Sequence, residues 1–210
     1  MYTPKHFRED DLSVLQELMR DYSFATLVSV QNDGVPIATP LPFVYEPEPG
    51  PYGTLKAHMA LGNPQWHTFQ AEREVLVIFQ GPHAYISPSW YEVELSVPTW
   101  NYATVHAYGK PHIIADQAEL YEHLKTLIAI HESQFDNPWP FQLPAEYVER
   151  LMKGVVGFEI AITRLEGKFK LNQNRSLNDQ QHVIQMLSSA TASSSREIAE
   201  LMQQRLTKHG

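Results

Sequence analysis

Cysteine is absent from this 210-residue chain. Its absence excludes disulfides, thiolate metal sites and a cysteine nucleophile, and it fits a reducing compartment. Positive charge is also scarce: 16 Lys and Arg stand against 24 Asp and Glu, for a net charge of −8. A chain-wide basic footprint for nucleic acid is thereby excluded, and no run of four Lys or Arg supplies a local one. No uninterrupted apolar stretch approaches the ~20 residues needed to cross a bilayer. The opening MYTPKHFRED lacks the apolar core of a signal peptide, so a cytoplasmic protein without membrane contact is expected. The common catalytic signatures HExxH, GxSxG, GxxxxGKS/T and GxGxxG are missing too. The ten histidines are dispersed, and none pairs at i, i+4 on a predicted helix with a carboxylate, so no metal site is expected.

Hydrophobic residues make up 43 % of the chain and aromatic ones 11 %, enough for a real core in one domain with an appended helical piece. Asp10 or Asp11 caps a first helix whose Leu12, Leu15, Leu18 and Met19 share a face. FATLVSV (24–30), QNDG (31–34) and VPIATPLPFVY (35–45) read as strand, hairpin turn and a proline-interrupted edge strand. TLKAHM (54–59) is a strand, and Asn63-Pro64 opens a short helix to about Phe69. EVLVIFQ (74–80), AYIS (84–87), TWNYATVHAYG (99–109) and KPHIIA (110–115) continue an antiparallel meander. Asp116 and Glu119 have capping-box spacing for a helix to about His131. A short helix at about 145–152 and a strand at 155–167 follow. Helices at 179–188 and 195–206 flank SSATASSS, which reads as a flexible linker, with Ser194 and Glu197 as a second capping box. The pattern predicts a mainly β protein with peripheral helices (α+β) built on a small antiparallel barrel: one domain over 1–178 and a helical extension over 179–210.

Three polar and aromatic segments carry the chemistry. LKAHMALGNPQW (55–66) places Lys56 and His58 at a strand end beside the Asn63 helix start, whose free N–H groups suit an anion. Plain strand–turn–helix punctuation explains the same residues. QGPHAYISPSWYEVELSVPTWNYATVHAYG (80–109) offers Trp90, Tyr91, Trp100 and Tyr102 as flat faces, with Gln80 and Asn101 as edge hydrogen-bonders. A core or a dimer interface would use the same rings. KFKLNQNRSLND (168–179) holds the densest positive cluster, Lys168, Lys170 and Arg175, able to complete a phosphate site or to lie in solvent.

The runs HMALGNPQW, VIFQGPHAYISPSWY, VPTWNYATVHAYG and KFKLNQN, in this order, resemble the PaiB-type FMN-binding negative transcriptional regulators. MYTPKHF and the FATLVS–LPF block are similar to that family as well. The resemblance implies an antiparallel split β-barrel of the FMN-binding type, a homodimer, and FMN as cofactor. The residues it points to are Thr39, Lys56, His58 and Asn63 near the flavin phosphate. Leu41, Met59, Gln80, Trp100, Tyr102, Lys170 and Gln173 complete the candidate set. Pro40 and Leu61 depart from the family pattern, which carries a histidine and a basic residue there. Two activities follow as expectations: a flavin-binding regulator, or a flavin-dependent oxidoreductase acting on a small aromatic substrate. Candidate proton donors for the second are His58, His83 and Tyr102. DNA is the weaker partner expectation, since no helix-turn-helix is visible.

Overall fold

The computed structural model describes residues 1–71, 73–93 and 95–209. Period-two alternation dominates the middle of the chain and folds into strands. They are β1 (Arg8–Glu9), β2 (Phe24–Val30), β3 (Pro36–Pro42), β4 (Val44–Glu46), β5 (Thr54–Ala60), β6 (Val75–Ile86), β7 (Thr99–Ile113) and β8 (Val155–Lys170). The helices are α1 (Leu12–Asp21), α2 (Gln117–Glu132), α3 (Ala145–Met152), α4 (Leu177–Ser188) and α5 (Ser193–His209). The strands form an eight-stranded sheet of order β3-β2-β6-β7-β8-β5-β4, with β1 paired to β8. The pairings of β2 with β3 and β6, β4 with β5, and β5 with β8 are antiparallel.

The β2–β3 hairpin turns on QNDG as expected. Gly34 takes φ +87°, and the Asp33 carboxylate accepts from the Val35 N–H at 3.0 Å. Pro36, Pro40 and Pro42 share one parity in β3, so their missing N–H groups all lie along the same edge. Since β3 ends the strand order, the prolines leave the ladder to β2 intact.

The chain divides into two compact units. The first comprises Met1–Leu15, Gln80–Val105 and Glu166–Gly210; the second comprises Gln16–Phe79 and His106–Leu165. In the second unit, Phe158 is fully buried, its ring 5.0 Å from Phe69 and 6.3 Å from Phe43. A satellite cluster of Ile114, Leu120, Val148 and Met152 lies under α2 and α3. Gly157 permits this packing: a Cβ there would stand 2.5 Å from Leu120 Cδ1. In the first unit, Ile86, Leu171, Leu187, Ile198 and Met202 are buried, and α4 packs on α5.

Asp116 caps α2 as the spacing predicts, accepting from the N–H groups of Ala118 (2.7 Å) and Glu119 (3.1 Å). Replacing Asp116 with Ala is expected to cost about 1 kcal/mol, read as a lower urea midpoint with unchanged slope. The Glu119 side chain contacts Lys56 at 3.5 Å.

Three local readings differ from expectation. EVLVIFQ and AYIS are one 12-residue strand that carries Gly81 and Pro82 within it. The helix after Asn63 is a 3-10 helix (Pro64–Ala71), although the Asn63 cap on the Gln65 N–H holds at 2.9 Å. The serine-rich stretch is a tight turn between α4 and α5, because Arg196 donates to the carbonyls of Ala190 (2.8 Å) and Thr191 (2.7 Å). Ser194 makes a two-way bond with His83: its hydroxyl donates to the His83 carbonyl and accepts from the His83 N–H, both at 2.8 Å.

Candidate functional site

Each unit gathers one group of the residues singled out in the sequence. In the first unit, His83 and Tyr85 are two positions apart on β6, so they point to one face. The Trp100 ring from β7 joins them, 6.0 Å from His83 and 5.9 Å from Tyr85. All three are exposed, with Trp100 at 52 % and Tyr85 at 49 %. Large rings left this open to water form a ready platform for a planar ligand.

Beside Trp100 lies Lys170, whose ammonium donates to the Trp100 carbonyl at 3.0 Å and to the Thr99 hydroxyl. Burial, and then the neighbouring Lys168, push the Lys170 pKa below its ordinary value. Lys168 donates to the Tyr2 carbonyl at 3.1 Å, and its ammonium stands 5.3 Å from the Tyr102 ring centre. Among the described residues, no carboxylate forms an ion pair with Lys168 or Lys170. Two half-buried cations side by side raise the local positive potential.

Further along, the KFKLNQN turn is internally bonded. Asn172 is buried at φ 63° and donates to the Tyr91 hydroxyl at 3.0 Å. Gln173 accepts from the Leu171 N–H at 2.7 Å and donates to the Phe169 carbonyl. Tyr91 is buried beneath the Arg175 guanidinium, 4.3 Å from its ring centre, so its flat face is already occupied. Gln80 is exposed on β6.

The second unit holds the other group. Gln65 is fully buried, and its amide nitrogen lies 3.2 Å from Leu27 O, Ser29 Oγ and Ile37 O. Thr39 donates to the Gln65 carbonyl oxygen, and Asn63 donates to Thr39 Oγ1 at 3.0 Å. These bonds stitch β2, β3 and the 3-10 helix together. Leu41 and Met59 are buried. Lys56 lies between Glu46 (3.2 Å) and Glu119 (3.5 Å), and its positive charge is already neutralised there. Burial alone would lower its pKa, but the two carboxylates outweigh it and the net direction is upward. His58 faces His123 on α2, with ring centres 5.7 Å apart. A concavity of about 940 Å³ is lined by residues of α2 and α3, among them Tyr121, Val148, Glu149 and Met152, and by Lys153.

Sequence reasoning named Trp100, Tyr102, Lys168 and Lys170 and passed over Tyr85. The i, i+2 spacing of His83 and Tyr85 was the available signal, because alternate residues of a strand share a face. Among the described residues no group of three or more His, Asp or Glu converges as a metal site.

Residues 1–164 match the family model described as "Putative FMN-binding domain". The chain is 41 % identical over 210 residues to protease synthase and sporulation protein PAI 2 of Bacillus subtilis, covering 99 % of both. It is 33 % identical to an uncharacterized protein of Emericella nidulans, covering 98 % of this chain and 97 % of that one. Among solved structures, the FAD and heme binding protein from Mycobacterium smegmatis aligns with a TM-score of 0.59 at 16 % identity, over 83 % of this chain and 78 % of that one. A flavocytochrome from Azotobacter vinelandii aligns with a TM-score of 0.58 at 13 % identity, over 80 % and 72 %. At these identities the likeness speaks to the fold, the antiparallel flavin-binding split barrel. No described helix is long and apolar enough to cross a membrane.

Proposed function

The chain belongs to the "Putative FMN-binding domain" family, and from that premise we propose that it is a flavin-binding regulator of the PaiB type whose first unit holds FMN. The observation that carries this reading is the exposed His83–Tyr85–Trp100 platform beside Lys168 and Lys170. FMN presents a flat, largely apolar ring system and a phosphate of charge about −1.5 to −2, which is the complement of that surface. The ammonium groups of Lys168 and Lys170 hold the phosphate, and Trp100 with Tyr85 supports the ring. Bound FMN supplies one- or two-electron redox chemistry, which a regulator can use as a signal and an oxidoreductase as a reaction. Thr39, Asn63 and Gln65 then act as the internal brace of the second unit, and Gln173 as the brace of its own turn.

Titrating the purified protein with FMN while following flavin fluorescence tests the reading. Saturable quenching at one FMN per chain is expected, with Trp100→Ala weakening FMN and riboflavin alike by about 1–3 kcal/mol. Absence of quenching, or unchanged affinity in the variant, overturns it. Bleaching of the bound flavin by NAD(P)H separates an oxidoreductase from a sensor.

Exposed apolar residues of the first unit also support a homodimer. Besides Trp100 and Tyr85, the β6–β7 connection exposes Val93 (53 %), Leu95 (92 %) and Val97 (70 %), which a second copy would cover. Sedimentation at micromolar concentration reads this directly. Direct DNA contact has less behind it, because a net charge of −8 repels phosphates. Cytoplasmic residence fits the cysteine-free composition.

A further inference from the structure

Among the described residues, the buried ring nitrogens His58 Nδ1 on β5 and His123 Nε2 on α2 have no hydrogen-bond partner. Buried polar atoms are rarely left this way, so the pair calls for a physical explanation. His123 is only 5 % exposed, and the two rings meet edge to face at 5.7 Å. We propose that His58 and His123 form a protonation-operated latch that holds α2 on β5 at neutral pH and releases it in mild acid.

The charged neighbourhood explains why the pair must stay neutral. Lys56 and His58 alternate onto the same face of β5. Facing them are Glu46 from β4, Glu119 and His123 from α2, and Glu159 from β8, in register opposite Lys56. Glu46 and Glu119 lie on Lys56, and neither is hydrogen-bonded to an imidazole among the described residues. A proton on either ring therefore creates a buried cation beside a second imidazole and near a lysine. His123 responds accordingly: burial, then His58, then Lys56 push it down to about 4. Burial pushes His58 down as well.

The structure leaves little room to relax in place. On the same helix, Leu120 is seated against β8 at Gly157, the residue opposite His58. Moving α2 away from β5 would hydrate a charge on His123, which is 5 % exposed when docked. That movement would also open the α2–α3 concavity, because Gln117, Ala118 and Tyr121 of α2 line it.

The sign follows from the depressed value. The released helix exposes a histidine that titrates near 6.5, whereas the docked His123 titrates near 4. Docking is therefore fully stabilised above pH 6.5 and weakens as pH falls from 6.5 toward 4. One coupled proton makes the opening equilibrium rise about tenfold per pH unit over that window.

Hydrogen exchange of the full chain, corrected for intrinsic rates, tests this. Between pH 6.5 and 4.5, opening of the 117–132 segment should increase about a hundredfold while β2 and β3 stay protected. The His58→Leu/His123→Leu double variant should flatten that slope. The Glu119→Gln variant should keep it, which separates the imidazoles from the Lys56–Glu119 ion pair. Constant α2 opening across the range overturns the latch, and so does a wild-type slope in the double variant. If that variant does not fold, imidazole NMR of the unmodified protein decides: His123 titrating near 6.5 with α2 still protected sinks the proposal.

Discussion

With Lys168 and Lys170 both replaced by Gln, FMN is expected to bind about a hundredfold more weakly, while riboflavin binds as before. A hydrogen bond to a charged group contributes about 1.5–3 kcal/mol, and the two lysines are half-buried, where screening by salt is incomplete. A combined loss of about 2.7 kcal/mol, just under the summed minimum, is already a factor of a hundred. Glutamine is the better replacement because it can still donate to the Trp100 carbonyl and Thr99 hydroxyl that Lys170 now holds. Riboflavin lacks the phosphate, so a platform deformed by the substitution would lose both ligands together. Parallel fluorescence titrations read the difference. Equal loss for FMN and riboflavin would move the phosphate away from these lysines. The depressed Lys170 pKa adds a second signature. Its charge is lost at lower pH than that of an ordinary lysine, so FMN affinity should begin to fall earlier on the alkaline side.

A methyl group added at Gly109 should be strongly damaging to the second unit. Its Cβ would stand 2.2 Å from the Ala161 carbonyl oxygen and 2.7 Å from Ile160 Cγ2. The first obstacle is backbone of β8 and cannot rotate aside, so β7 and β8 must separate locally. Overpacking of this kind costs about 3 kcal/mol. For a chain of this length that lowers the melting temperature by roughly 6–12 °C. Gly157→Ala is the useful contrast. Its nearest obstacle, Leu120 Cδ1 at 2.5 Å, is the tip of a flexible side chain, and a smaller loss is expected. Thermal melts followed by circular dichroism compare the two. A Gly109→Ala protein melting within a degree of the parent would show that the strands tolerate the spread.

Much of this architecture was legible because it is local. The FATLVSV–QNDG–VPIATP hairpin needed only alternation and an Asp-Gly turn, and Asp116 announced α2 by capping spacing. The long reach of β6 was not legible, since Gly81 and Pro82 read as punctuation in the sequence. The serine-rich turn was misread for a related reason. Composition suggests flexibility, whereas Arg196 supplies the two carbonyl contacts that fix it. At the candidate site, residue type was visible and engagement was not. Lys56 and Lys170 look alike in the sequence, yet Lys56 sits between two carboxylates and Lys170 faces none among the described residues. His58 and His123 are 65 positions apart in the numbering, and only folding brings their rings together.

The Ser194–His83 contact bears on whether an extended segment can add to β6. Among the described residues, β2 registers with β6 across Leu76–Ile78, short of His83. At His83 the serine hydroxyl occupies both the backbone donor and the backbone acceptor. An incoming extended segment would need both groups to begin zipping onto β6. One side chain at the head of α5 thus works as a stopper against strand addition, beside an aromatic surface that would otherwise invite it.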